Sequence, residues 1–271
     1  MAENVRRRGL DPQGFIAREG SLGRTAHAFR PAVAAARDRL LDLYGTRLHS
    51  AYVYGSIPRG TARVGRSDLD LLVALREEPT DTDRDGARAL DEALDKEFRQ
   101  IDGAGTLLVS REQVLSDLER YDLGWFVACL CTPLLGEDLA EDLPRYRPDS
   151  LLARETNGDL ALLLPRWRER IDAANDSDEA RRLVRFMSRR LVRTAFTLVM
   201  PRWYGWTSDL YEMAEAFAAY YPARGEQLRK AAALGHEPTG DRAVLTSYVD
   251  DVGPWLAEEY ARVHGVKTAR P

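Results

Sequence analysis

Apolar residues recur along this chain in two rhythms. Between Pro31 and Tyr44, Val33, Ala36, Leu40, Leu41 and Tyr44 follow helical spacing, and Gly45 suits a helix end. Short apolar runs at His49–Tyr54, Leu69–Leu75 and Gly105–Ser110 predict three strands. Ala87, Leu90, Leu94 and Phe98 predict an amphipathic helix over Asp85–Phe98 between the second and third. Arg111–Leu118 reads as a short helix. Asp122–Leu135 reads as a core helix stopped at Pro133, and Thr132–Leu139 as a closing turn. Beyond a proline-bearing, charged stretch at 139–150 the pattern is helical to the end. The predicted helices are Arg154–Ala173, Ser177 to about Val199 with Ser177 as N-cap, Ser208–Tyr221, Arg224–Leu234 and Asp241–His264, the last bent at Gly253-Pro254. Residues 1–24 are polar and broken by glycine, an arm or a flap.

One stretch, Ala51–Leu75, carries chemistry: AYVYGSIPRGTARVGRSDLDLLVAL. Strand alternation sends Leu69 and Leu71 to one face and Asp68 and Asp70 to the other, the two acids roughly 6.6–7 Å apart. Like charges on one face call for a cation between them. Mg²⁺ is such a partner, because it is held by one or two carboxylates plus substrate phosphates. Gly55-Ser56 follow a strand directly, and glycine there lets a phosphate approach backbone amides and the serine hydroxyl. Arg59, Arg63 and Arg66 add positive charge.

The order Gly55-Ser56-x-x-Arg59-Gly60, then Ser67-Asp68-x-Asp70-Leu71, resembles the signature of the nucleotidyltransferase superfamily related to DNA polymerase beta. The resemblance implies an α/β nucleotidyltransferase domain, a short mixed sheet with helices, followed by an all-α helical domain. The boundaries expected are an arm at 1–24, the first domain at 25–140 and the second at 150–266. It also implies ATP as co-substrate, with Asp68 and Asp70 as Mg²⁺ ligands and Gly55, Ser56, Arg59 and Ser67 on the nucleotide. Many relatives carry a third carboxylate on the next strand. Here the expected point falls on Ala104 or Thr106, so either Asp102, the nearest acid, serves as the third catalytic acid, or another acid such as Glu155 enters from the helical domain, or the site is catalytically weak.

The stretch from Arg182 to Gly235 is broadly similar to the helical domain of streptomycin/spectinomycin-type adenylyltransferases. That points to AMP transfer onto a small hydroxylated acceptor of aminoglycoside type. Candidate acceptor-binding acids are Glu155, Asp159, Asp209 and Glu212, and candidate rings are Trp167, Trp203, Tyr204 and Trp206. Protein- or tRNA-directed transfer, and a nucleotide-binding regulatory module with weak catalysis, are the alternatives. Arg182, Arg185, Arg189 and Arg193 share an arc of one helix. A solvated face is the ordinary reading, and a polyanion cleft the other.

Composition narrows the class. Hydrophobic content of 44% with 30% charged residues fits a soluble globular protein. A net charge of −4 argues against bulk nucleic-acid binding. No apolar run reaches membrane-spanning length, and the N-terminus lacks a secretory core. Cys129 and Cys131 have no second pair and no nearby histidine, so they read as reduced thiols of a cytoplasmic protein.

Overall fold

Four strands, β1 (Leu48–Tyr54), β2 (Leu69–Leu75), β3 (Ala104–Ser110) and β4 (Thr132–Gly136), form one mixed sheet in the order β3-β2-β1-β4. β1 pairs antiparallel with β2 and with β4, and β2 pairs parallel with β3. The structure is a computed structural model, described over residues 8–269. The chain divides into two units: Ala17–Tyr146 holds the sheet, and Met1–Ile16 joins Arg147–Pro271 in the helical unit. Of the Arg6-Arg7-Arg8 run, only Arg8 lies within the described residues.

In the first unit the helices are α1 (Arg30–Tyr44), α2 (Ser56–Arg59), α3 (Asp81–Glu97), α4 (Arg111–Leu115) and α5 (Trp125–Leu130). Alternation along β2 builds two cores. Leu69, Leu71, Val73 and Leu75 meet α1 and α3 through Leu40, Leu90 and Leu94. Leu72 and Ala74 face the other way, onto Tyr52, Val109, Val114 and Val127. Each leucine removed from water here contributes about 1.5–3 kcal/mol. The second core stops before Asp70, so the leading end of β2 presents its carboxylates where apolar cover ends.

Local signals fix the flanking helices. Pro31 stands in the first turn of α1, and Gly45 closes it at φ +49°. Leu41, expected on the buried stripe, points to solvent instead. A capping box between Thr80 and Asp83 starts α3 four residues earlier than the periodicity predicts. Arg47 holds the buried Asp83 carboxylate at 2.6 and 2.7 Å.

β4 corrects the reading of Asp122–Leu135 as one helix. A single π turn at Arg120–Gly124 leads into α5, which ends at Leu130, and Thr132 then begins a strand. Pro133 is tolerated because β4 is an edge strand. Cys129 and Cys131 are buried thiols outside any disulfide. Burial pushes Cys129 up to about 12 and Cys131 well above its ordinary value.

The helical unit contains α6 (Ser150–Asn157), α7 (Leu160–Ala173), α8 (Ser177–Trp203), α9 (Leu210–Ala218), α10 (Pro222–His236), α11 (Arg242–Ser247) and α12 (Gly253–His264). The predicted Arg154–Ala173 helix is two helices, broken at Gly158-Asp159. Asp176, not Ser177, caps α8. α8 runs through Pro201 in its last turn to a left-handed Tyr204. A π turn at Tyr248–Val252 separates α11 from α12, just ahead of the predicted Gly253-Pro254 break. The described N-terminal residues belong here. Arg8 lies over the Trp203 ring, Trp206 N donates to Arg8 O at 2.8 Å, and Arg147 covers Phe15. Among the described residues no helix is long and apolar enough to cross a membrane.

Candidate active site

β1 delivers the chain to Gly55, which adopts φ +80° and ψ −148° before the single turn of α2. Only glycine takes that conformation cheaply. Space makes the same demand: a β-carbon at Gly55 would stand 2.5 Å from Asp70 Oδ2. The backbone of the Gly-Ser turn therefore lies directly against the carboxylate. Asp70 pairs with Tyr54 across the ladder, so one β-ladder step joins both halves of the motif. Gly60, at φ +77°, turns the chain out of α2, and Thr61 N bonds Ser56 O at 3.0 Å.

The loop between α2 and β2 is clasped rather than loose. Ser67 Oγ accepts from Arg63 N at 2.9 Å, and Gly65 N donates to Gln100 O at 2.9 Å. Asp102 N donates to Ser67 O at 3.0 Å, and Leu69 N to Gly103 O at 2.9 Å. Ser67 thus shapes the loop with its side chain. Asp102 lies in the bend before β3, exposed, with its backbone tied to the residue preceding Asp68.

Asp68 and Asp70 are both half-buried. Gly55 crowds Asp70, and a β-carbon at Gly103 would stand 3.8 Å from Asp68 Oδ1. Both carboxylates are therefore bordered by bare backbone. That suits a hexacoordinate Mg²⁺, which keeps most of its positions for water and phosphate oxygens. Among the described residues no group of three Asp, Glu, His or Cys gathers into a metal cluster.

The third-acid position needs correction. β3 runs parallel to β2 with Asp70 beside Gly105 and Leu71 beside Thr106. The face of Asp70 is continued by Gly105, not by Ala104 or Thr106. Ala104 packs on the α1/α3 core. Thr106 points to α3, where Asp91 accepts from its N at 3.0 Å and its Oγ1 at 2.6 Å. Burial raises Asp91 above the usual carboxylate range, against those hydrogen bonds. The parity that placed Asp102 with the relatives' acid therefore refers to the wrong face.

Arg59 ends α2 with one guanidinium nitrogen 3.6 Å from Glu19, while its Nε is buried with no hydrogen-bond partner. Glu19 was not legible as a neighbour of the motif, since it lies in an aperiodic polar segment. That segment is anchored by Glu19 N on Cys129 O, Ser21 N on Pro58 O and the Arg18–Asp138 pair. Arg63 and Arg66 are exposed.

In the helical unit, most of the expected acceptor-binding side chains serve the fold. Asp209 caps α9, and Glu212 accepts from Thr207 Oγ1 at 2.6 Å. Glu155 is held by Arg154 and Thr268, and Asp159 by Arg190. Trp167 and Trp206 are buried, and Trp203 packs edge-on against Phe196. Only Tyr204 among the rings is exposed, at 52%.

Residues 33–114 match the family model described as a nucleotidyltransferase domain, a span from α1 into α4 that contains the whole motif. A solved spectinomycin adenyltransferase, AAD(9), from Enterococcus faecialis with ATP and spectinomycin, superposes with a TM-score of 0.52 at 16% identity. It covers 85% of this chain and 98% of its own. None of the curated proteins compared matches the chain. The chain carries a nucleotidyltransferase domain on a sheet-plus-helical fold shared with an antibiotic adenyltransferase.

Proposed function

We propose that this nucleotidyltransferase moves AMP from Mg·ATP to a hydroxyl of a small acceptor, with an aminoglycoside-type compound as the first choice. One observation carries the reading: Gly55 is packed so closely on the Asp70 carboxylate that a phosphate lying on the Gly-Ser turn must also lie beside the Asp68/Asp70 pair. The acceptor class is supported by the fold shared with the spectinomycin adenyltransferase.

In this reading the acceptor oxygen forms a bond to the α-phosphorus. The bond from that phosphorus to the bridging oxygen breaks, and pyrophosphate leaves. Ser56 and the backbone of its turn donate to phosphate oxygens, preset so that little reorganisation is needed in the transition state. Arg59, at the other end of α2, adds positive charge. Asp68 and Asp70 would hold Mg²⁺, which when bound would supply neutralising charge to the attacking and departing oxygens. Asp102 is the candidate to accept the hydroxyl proton, supported by the hydrogen bond that ties its backbone to Ser67.

The test is radiolabelled ATP and GTP against a panel of aminoglycosides, lincosamides, tRNA and total cell protein. Transfer from ATP to an aminoglycoside supports the reading, and label in tRNA or protein alone replaces the acceptor. A second reading, a nucleotide-binding module with weak catalysis, is favoured by one feature: the β3 residue beside Asp70 is Gly105, and Gly103 just ahead of β3 borders Asp68, so neither adds a carboxylate to the pair. Metal-dependent ATP binding without transfer to any panel member would select it.

A further inference from the structure

The start of α6, the backbone of α8 and the end of α12 meet at one imidazole. His264 is the last residue of α12, and its Nε2 lies 2.9 Å from Leu198 O. A carbonyl oxygen only accepts, so Nε2 carries the proton. That fixes the tautomer and leaves the Nδ1 lone pair for a donor. Ser150 Oγ donates to it at 2.7 Å. Tyr260, one turn back on α12, holds the ring edge-on at a centroid distance of 5.2 Å.

A hydroxyl, a base within hydrogen-bond reach and a third group that orients the base make the arrangement of an activated nucleophile. Here the orienting group is a backbone carbonyl. Burial lowers His264 below its ordinary value; the bond to Leu198 O opposes this, and Arg202 adds to it. The ring is therefore neutral at neutral pH, with Nδ1 ready to take a proton. Ser150 is exposed, so a solute can reach its oxygen. It is also the first residue of α6, where the helix dipole favours the negative charge that builds on Oγ during attack. Ser50 offers a contrast within the same chain. Its Oγ lies 3.2 Å from His49 Nδ1, but both residues are buried in β1, where no electrophile arrives.

We infer that Ser150 is a nucleophile that takes acyl groups from small reactive esters, with His264 as its base. In attack the Oγ–H bond breaks and its proton passes to His264 Nδ1, while Oγ bonds to the ester carbonyl carbon. The bond from that carbon to the leaving oxygen breaks, and the leaving group departs with the electron pair and the proton from Nδ1. Water then attacks the acyl-serine and gives its proton to Nδ1. The carbon–Oγ bond breaks, Oγ takes that proton back, and a carboxylic acid leaves. The inference does not depend on the transfer reaction proposed above, because it uses neither nucleotide nor metal.

Incubation of the full chain with a biotinylated alkyl fluorophosphonate, in EDTA and without nucleotide, tests it when followed by peptide mass mapping. The parent should carry label on Ser150 and none on Ser50. Ser150→Ala removes one exposed oxygen and should fold as the parent does, without label. His264→Gln separates a base from a clasp. Its amide can donate to Leu198 O and accept from the Ser150 hydroxyl, but it takes no proton, so labelling should slow about 100-fold. p-Nitrophenyl acetate should give the parent a burst of one p-nitrophenolate per chain, absent in Ser150→Ala. If His264→Gln melts early, the label map of the parent and the burst in Ser150→Ala still decide. A parent without label, label on another residue instead, an undiminished burst in Ser150→Ala, or a His264→Gln rate within threefold of the parent would each overturn the assignment.

Discussion

Replacing Gly55 by alanine should stop transfer while leaving the protein folded. Two costs act together. The backbone at φ +80°, ψ −148° costs a side-chain-bearing residue about 1–3 kcal/mol. The new β-carbon would also meet Asp70 Oδ2 at 2.5 Å, where real contacts are essentially never below 3.0 Å and nine in ten exceed 3.4 Å. The carboxylate must then retreat by about 0.5–0.9 Å, and a displacement near 1 Å at a reacting centre costs about 100-fold in rate. That is about 2.7 kcal/mol of barrier. Gly65→Ala is the matched control. Its φ is also positive, +69°, but nothing lies within 4 Å of its β-carbon. Both variants should melt earlier than the parent, and only Gly55→Ala should lose transfer, measured as the initial rate from labelled ATP to the panel acceptor at saturating Mg²⁺. A Gly55→Ala rate within threefold of the parent, or an equal loss in Gly65→Ala, would refute the close-approach argument.

Mg·ATP should raise the melting temperature, and ATP with chelator should do so far less; equal shifts would remove the metal from the site. Asp70→Asn should keep its circular dichroism and lose about three decades of transfer, or about 4 kcal/mol, since the amide keeps the shape and gives up the charge. Gly105→Asp adds a carboxylate on the Asp70 face, where nothing lies within 4 Å of the new β-carbon, and should tighten Mn²⁺ binding to the nucleotide-free protein about tenfold by titration. Arg47, with Thr80, holds Asp83 below its ordinary value, so its contribution to stability is full above about pH 3.9 and is lost as pH falls through the lower folded value. Thermal melts of parent and Asp83→Asn should therefore differ most near neutrality and converge in acid; a gap that widens in acid would reverse the sign.

The legible parts of this fold are those in which one residue decides. Asp68 and Asp70 declare their face by alternating with Leu69 and Leu71, and the buried leucines bear that out. Gly55 was readable as a turn, but not as the residue on which Asp70 closes, because that depends on the pairing of β1 with β2. The same limit explains the misplaced third acid. A strand read alone has two faces and no label, and a shift of one residue exchanges them. Only the pairing of Asp70 with Gly105 assigns Thr106 to α3. β4 was hidden because the run Trp125–Leu135 is apolar but for Thr132 and Pro133, and Pro133 ends a helix as readily as it marks an edge strand. The break between α6 and α7 was missed because every apolar residue of the predicted Arg154–Ala173 helix lies beyond Gly158, so Arg154–Asp159 carried no spacing of its own.

The charge distribution bears on the acceptor. A net charge of −4 suits a cationic ligand in the far field, where the whole chain acts as one object. At contact range the field belongs to individual side chains. A pocket on α7 and α8 sets the guanidinium groups of Arg182, Arg185, Arg189, Arg190 and Arg193 against the one carboxylate of Asp159, so a polycationic acceptor is repelled from it. The acids expected to receive such an acceptor are already engaged: Glu155 by Arg154 and Thr268, Asp159 by Arg190, Glu212 by Thr207. Freeing any of them breaks a native contact, and the ligand must replace what it displaces. An aminoglycoside-type acceptor with several ammonium groups would bear that cost repeatedly. One with few charges and several hydroxyls would meet it once or not at all. Within the proposed class, the helical unit therefore favours weakly charged, hydroxyl-rich compounds over polyamines.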